Sequence, residues 1–402
     1  MANPKIRFKQ KNGENYPDLI TKTMSDVMEE RHVLKTITDD SPLLSFTIEQ
    51  GVIYPEDKKT NKRDFLIKDK DNKKFALTEI DDIIYNPANI KFGAIHKNSL
   101  CRGVVSPIYA IFKVKEDPTY MEAYVQRKSF IAYSMKYLEG TVEKLKTLKP
   151  NDFLKLNVTI PCIEEQKRIA DFLDELNIAI ECIEKENSYI EKMKTALIQK
   201  VFKQEIKFKK EDGSDYPNWE IKKVKDVATV YDGVHQTPEY VSSGIKFASV
   251  ENIDNPFMTE KFITKDAFEK NFKNKAQKGD VLLTRIGTIG KAYYIDNDEE
   301  LAYYVSLALL KCSKKISGKY LKHLISSSFF QRSMWERTLH EAYPKKINKG
   351  DIGDCEVLLP CIEEQEKIAE FLDSMDELIF ESKQELKKYK EMKKGLLQQM
   401  FI

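Results

Sequence analysis

The chain has 402 residues, 41% hydrophobic and 32% charged, enough to bury two or three cores while keeping much exposed helix. Its formal net charge of +2 excludes a polycationic mode of nucleic-acid binding, so any such binding has to come from local basic patches. No apolar run is long enough to span a membrane, the N-terminal MANPKIRFKQK has no apolar signal core, and the six cysteines form no CxxC pair, which reads as reduced thiols in a cytoplasmic chain.

Taken in chain order, residues 1–21 carry RFKQKNGENYP at 7–17, which returns as KFKKEDGSDYP at 207–217; Phe8, Gly13, Tyr16 and Pro17 recur as Phe208, Gly213, Tyr216 and Pro217. Residues 22–155 read as a mixed, strand-rich domain, with short apolar β-type runs in DDIIYN (81–86) and VSPIYAIFKV (105–114) and a helix over 118–138. The charged run KDKDNKK at 68–74 reads as a turn between strands. Residues 156–206 form a first helical repeat that opens on IPCIEEQKRIADFLD at 160–174. Residues 207–354 form a second mixed domain, where GDVLLT (279–284) and VSLALLKC (305–312) match the frame of the first and a helix is expected over 317–339. Residues 355–402 form the second helical repeat, opening on LPCIEEQEKIAEFLD at 359–373.

The two repeats align without a gap over Pro161–Phe202 and Pro360–Phe401, with 18 of 42 positions identical. The first repeat leads directly into a Tyr-Pro segment; the counterpart of that segment for the second repeat stands at the N-terminus. The order is therefore that of two units joined head to tail in a circle cut once, which predicts a pseudo-twofold arrangement with neighbouring termini. Pro161 and Pro360 suit entry to a helix, and the glutamates after them suit its positive end. No Gly or Pro then intervenes until Gly395, so each helix can run about 38 residues, or roughly 57 Å. Mostly apolar positions alternate at spacings of four and three, with a few polar interruptions: Ile169, Leu173, Leu176, Ile180, Ile183, Asn187, Ile190, Lys194, Leu197 and Val201 in the first copy, and Ile368, Leu372, Met375, Ile379, Ser382, Leu386, Tyr389, Lys393, Leu396 and Met400 in the second. This is a heptad seam, which predicts an antiparallel coiled coil between the copies, with Asn187 as a buried polar residue fixing register. Cys162 and Cys361 are expected to be small buried residues at the junction.

An enzymatic reading finds no site. There is no phosphate-binding GxxxxGK[ST] loop, RIGTIGK at 285–291 is a poor dinucleotide fingerprint, and NPAN at 86–89 lacks the second proline and the aromatic residue of an amino-methyltransferase loop. The five histidines show no HExxH spacing, so no metal, cofactor or catalytic residue is expected in the chain.

A proline followed by EEQ, then IAxFLD and a long heptad helix, occurring twice and alternating with two variable segments, resembles the specificity subunit of a Type I restriction–modification system. GDVLLTRIGTIGK (279–291) and VSPIYAIFKV (105–114) also resemble parts of that family's recognition domains; the first domain departs at NPANIKFG (86–93), where the second has TRIGTIG. The resemblance implies an α+β chain: two mixed, strand-rich target-recognition domains joined by two long helices forming an antiparallel coiled coil, in a pseudo-twofold cyclic arrangement. It implies a non-catalytic subunit that reads a split, asymmetric double-stranded DNA target. Two adenine-N6 methyltransferase subunits and the restriction subunits would be its partners, holding the S-adenosylmethionine, Mg and ATP. A coiled-coil scaffold without DNA specificity is the alternative.

A duplex-reading surface needs cations for phosphates and amide, hydroxyl or guanidinium groups for base edges. In the second domain the candidates are Tyr231, His235, Gln236 and Thr237 on YDGVHQT, Thr284, Arg285, Thr288 and Lys291 on the glycine-rich turn, and Tyr343, Lys345, Lys346 and Asn348 on EAYPKKINKG. In the first they are Lys91, His96, Lys97, Asn98 and Arg102, with Tyr137, Thr141 and Lys144 on a loop placed like EAYPKKINKG. Lysines in KKYKEMKK (387–394) are expected on the outer face of the second helix.

Overall fold

The computed structural model describes residues 4–58, 73–138 and 147–401, so Thr141 and Lys144 lie outside the described residues. The chain divides into two compact units, Met1–Glu184 with Glu385–Ile402, and Lys185–Gln384. Each repeats one plan.

In the first unit a four-stranded antiparallel sheet takes the order Met28–Glu30, Ala110–Val114, Ile83–Tyr85, Ile95–Lys97. In the second the order is Ala228–Asp232, Leu307–Cys312, Val281–Thr284, Ala292–Tyr294. The two apolar runs matched in the sequence are the central strands of both sheets. Their residues are buried on both faces, which is why they read as continuous apolar runs rather than alternating ones. The expected helices over 118–138 and 317–339 are each two: Pro118–Val125 and Lys128–Ser134, and Gly318–Ile325 and Ser328–Arg337. In the second unit the break is chemical. The Ser327 hydroxyl takes the amide of Phe330, starting a new helix one residue after Ser326 has closed the old one.

The long helices are Ile163–Phe202 and Ile362–Met400. Each begins two residues after its proline, and the intervening cysteine is half-buried rather than buried. The Cys162 carbonyl accepts the amides of Glu165 and Gln166, and the Cys361 carbonyl that of Gln365, so the cysteine is the helix-entry residue.

The rest of the repeated phrase fastens that helix start to its surroundings. Gln166 and Gln365 are fully buried. The Gln365 amide donates to the carbonyls of Pro360 and Lys315 at 2.9 and 3.0 Å, and its oxygen accepts the Ser317 amide at 2.9 Å, where the Gly318–Ile325 helix begins. The Gln166 amide donates to the Pro161 carbonyl and to the Glu116 carboxylate, and its oxygen accepts the Asp117 amide ahead of Pro118–Val125. The preceding glutamates are buried too. Glu165 takes Arg7, and Glu364 takes the Trp219 indole, so each holds the polar arm that follows the Tyr-Pro turn or precedes it. Phe8 packs edge-on against Phe172, and Phe208 against Phe371 in the same way. The Ile6 amide donates to the Gln399 carbonyl, in the place where the Ile206 amide donates to Lys200 in the second unit. The N-terminal segment thus completes the first unit beside the end of the second long helix.

Within each unit the two long helices run antiparallel. In the first, Lys393 reaches Asn177 and Lys390 reaches Glu184; in the second, Lys383 reaches Glu191 and Lys194 pairs with Asp376. Residue numbers rise on one helix as they fall on the other. Ile169, Leu173, Leu176, Ile180, Ile183, Ile368, Leu372 and Met375 are buried, while Ile190, Leu197, Ile379, Leu386 and Leu396 are half-buried. Near the end of the first long helix, Ile198 and Val201 take the core positions beside Leu197. The seam ends are absorbed into domain cores: Ile169, Leu173, Met400 and Phe401 in the first unit, Val201, Phe202, Ile368 and Leu372 in the second.

Two polar features stand on this frame in the second unit. Asn187 is buried, and neither amide atom has a hydrogen-bond partner among the described residues; the Ser382 hydroxyl is likewise unpaired. His323 is buried, and its Nε2–H donates to Asp373 at 2.8 Å, while Lys194 and Lys322 both meet Asp376. Burial holds the His323 imidazole below its ordinary range. Burial alone would raise the Asp373 carboxyl; His323, Lys322 and Lys319 outweigh it and set it at about 2.

Replacing Asn187 by Leu should raise stability by about 1–2 kcal/mol, because an unpaired buried amide is removed; a lower urea midpoint in the variant would show that the amide is satisfied. The second polar site governs the response to acid. A folded His323 that resists protonation loses its advantage as pH falls below the free-imidazole value of 6.5. The depressed Asp373 carboxyl contributes fully above 3.8, and its contribution is lost as pH falls toward about 2. Urea midpoints measured against pH should therefore fall in two stages. His323→Leu should remove the upper one, and an unaltered upper stage in that variant would assign it to other groups.

Candidate nucleic-acid interface

In the second unit three sequence-distant loops meet at one arginine. The glycine-rich turn leaves the sheet at Thr284, which is fully buried and closes the turn on itself. Its amide donates to the Lys291 carbonyl, and its hydroxyl accepts the Lys291 amide at 2.9 Å. Gly287 and Gly290 sit at φ +79° and +90°, and a Cβ on Gly290 would meet the Gln331 side chain at 2.5 Å, so both positions require glycine. Next along, Arg285 is only 6% exposed. Its Nε–H donates to the Ile347 carbonyl at 3.0 Å, and its guanidinium pairs with Asp232 of the YDGVHQT loop. The Ile347 amide returns a bond to the Arg285 carbonyl, and the Gly287 amide donates to Lys345. YDGVHQT, the glycine turn and EAYPKKINKG are therefore fastened together from beneath. This corrects the expectation that Arg285 and Thr284 present their side chains to a duplex: both are consumed internally, because an unpaired buried guanidinium or hydroxyl would be costly.

Above this fastening lie exposed groups. His235, Gln236, Thr237, Thr288, Lys345 and Lys346 are exposed, and Tyr343 is completely so. Lys291 is half-exposed and meets Asp254 at 3.1 Å. Asn348 bonds Asp351 at the entry to a short helix, and Tyr231 is half-buried in the sheet. Sequence reasoning misses Trp335, 60% exposed, with the His340 ring 4.1 Å away and the Lys345 ammonium 5.3 Å over its face. On its helix Phe330, Ser333 and Met334 face inward, a spacing that places Trp335 on the other side. This is an aromatic and cationic platform suited to phosphates and to base faces or edges.

The first unit differs. Asn98 is fully buried; its side-chain amide donates to Thr78, Glu79 and Cys101, and its oxygen accepts the Leu100 amide. His96 has both ring nitrogens engaged, with the Ile48 carbonyl and with Gln126. Lys97 donates to Thr119 at 2.8 Å. These three are internal fasteners, a second correction to the expected reading surface. Arg102, 47% exposed and 3.4 Å from Glu79, and Tyr137, 38% exposed beside Tyr133, reach solvent, and Lys91 lies over the exposed Phe92 ring.

As to metal or cofactor, among the described residues His323, Asp373 and Asp376 offer ligand atoms within 4.8 Å of one another. The Lys194 and Lys322 ammonium groups already serve as cations for Asp376 there. No helix among the described residues is long and apolar enough to cross a membrane.

Residues 216–389 match the family described as the Type I restriction modification DNA specificity domain. The chain is 26% identical over 67% of its length to the Type I restriction enzyme MjaVIII specificity subunit of Methanocaldococcus jannaschii, covering 68% of that protein. It is 23% identical over 82% of its length to the putative Type I restriction enzyme MjaX specificity subunit of the same organism, covering 80% of it. In fold it is similar to the crystal structure of a Type-I restriction-modification system S subunit from M. genitalium, with a TM-score of 0.57 at 14% identity, 100% of this chain and 99% of that chain being covered. A chain from a study of complex assembly and conformational transition of the type I R-M system gives 0.56 at 15% identity, covering 96% and 98%.

The two kinds of residue should separate on substitution. Tyr343→Ala should leave the melting temperature unchanged and weaken duplex binding several-fold, as loss of one stacking or edge contact does. Arg285→Ala should lower both, since it strands Asp232 and the Ile347 carbonyl; thermal melts read beside fluorescence-anisotropy titrations distinguish them. Full stability in Arg285→Ala would overturn its assignment as a fastener.

Proposed function

We propose that this chain is a specificity subunit of a Type I restriction–modification system and reads a bipartite, asymmetric DNA target, one half with each unit. The observation that carries this is the platform of the second unit, where exposed Tyr343, Trp335 and Lys345 stand over loops pinned by a buried arginine. Loops with independent conformations would have to be ordered on binding; here that ordering is built in. The two units share a scaffold and differ in their loops, which supports an asymmetric target. The chain supplies recognition without catalysis. Adenine-N6 methyltransferase subunits, two per complex, dock on the helical repeats, restriction subunits join them, and S-adenosylmethionine, Mg and ATP are held by those partners in the cytoplasm. The long helices act as a ruler: each is continuous over about 40 residues and contributes to both units.

Co-expression with a methyltransferase partner, followed by genome-wide mapping of methylated adenines, tests the reading. The expected result is one split, non-palindromic motif; random or absent methylation would overturn it. Inserting one heptad in both long helices adds about 10.5 Å, and should lengthen the unread spacer by about 3 base pairs. An unchanged spacer would refute the ruler and leave the reading of half-sites standing.

A further inference from the structure

Each unit contains the same junction, where a domain helix packs against the start of one long helix and the end of the other. In the second unit it is filled. The Gly318–Ile325 helix supplies Lys322 and His323, the second long helix Asp373 and Asp376, and the first Lys194, all joined by hydrogen bonds or ion pairs. In the first unit, at the repeat offsets of 199 and 200, the equivalents are Glu122 and Ala123, Asp174 and Asn177, and Lys393. The imidazole has become a methyl group and one carboxylate an amide. Lys393 donates to the Asn177 oxygen at 2.6 Å where Lys194 has a carboxylate.

The first unit has a cavity of about 840 Å³ at this place. Leu173, Ile180 and Leu397 form apolar wall, and Gln126 and Asn177 offer amides. Five cations line it, Arg127, Lys128, Lys390, Lys393 and Lys394, against the acids Glu122 and Glu181. Lys390 is paired with Glu184, and Arg127 lies on the Tyr124 and Phe401 rings. Lys128 and Lys394 are exposed and form no ion pair among the described residues. The volume falls in the range of small-molecule sites. The second junction is filled by the His323 ring and the Asp376 carboxylate, and the first has Ala123 and Asn177 in their places.

We propose that this cavity binds a small amphiphilic organic anion, its apolar body against Leu173, Ile180 and Leu397 and its carboxylate or phosphate head toward Lys128, Lys393 and Lys394. The site is separate from the candidate duplex contacts of both units: none of its lining side chains belongs to the platform of the second unit, and Lys91, Arg102 and Tyr137 of the first do not line it.

The test uses the full chain titrated with anilinonaphthalene sulfonate, an amphiphilic anion that fluoresces on entering apolar sites. Saturable binding is expected, displaced by octanoate and not by octanol at equal concentration. The double variant Lys128→Glu/Lys394→Glu changes two exposed side chains, so its melting temperature should hold while affinity for the dye falls by about tenfold or more, as removing charge-assisted contacts requires. Ala123→His restores the ring of the second unit and should abolish the site. Undiminished binding in the double variant, displacement by octanol as effective as by octanoate, or absence of saturable binding would each overturn the proposal. So would a cavity silent to the dye whose lysines become protected only when the methyltransferase partner is bound, which assigns the space to that protein instead.

Discussion

The buried glutamine of the repeated phrase is the constraint from which the architecture is built. A long helix is stiff along its axis, but its first turn exposes amides and its entry angle is otherwise free. Gln166 and Gln365 fix that angle by joining the proline carbonyl before the helix to the backbone at the head of a domain helix. Removing either glutamine would leave buried backbone groups unsatisfied, a cost of about 1–3 kcal/mol for each such group. The side chain is thus held to one identity in both copies, while the loops of the domains are not under this constraint.

The two copies show how a shared scaffold tolerates divergence. The same junction is closed by a histidine–carboxylate–lysine network in one unit and left as a cavity in the other. The same sheet carries a glycine turn pinned by Arg285 in one unit and, in the other, a region where His96 and Asn98 fasten the backbone. The family match runs over 216–389 and so falls mostly on the second unit. That agrees with the second unit keeping the glycine turn from which the first departs.

The helical frame was legible in the sequence because its signals are local and repeated: an uninterrupted heptad, a helix-entry proline, a phrase found twice. The central strands were legible as matched apolar runs. The interface was less so, because exposure of a polar side chain depends on partners far along the chain. An arginine on a glycine turn reads as a base-edge donor until Asp232 and the Ile347 carbonyl are found beneath it. Asn98 reads as a surface amide until Thr78, Glu79 and Cys101 are seen around it. Trp335 was missed for the opposite reason. A tryptophan in a half-buried helix reads as core, and only its phase relative to Phe330 and Met334 shows otherwise.

The division of the chain also bears on how it comes into being. The second unit is one unbroken stretch, Lys185–Gln384, whereas the first needs the segment from Glu385 onward to meet residues that precede Lys185. Met400 and Phe401 lie in the same core as Met24, Val27 and Met28. The first unit is therefore completed only after the second has been synthesised, and its apolar surface waits for the segment from Glu385 onward to leave the ribosome. The second unit can close before it, since domains fold as their residues emerge. The early part is the one that stays open longer, and its closure is timed by the arrival of the segment from Glu385 onward.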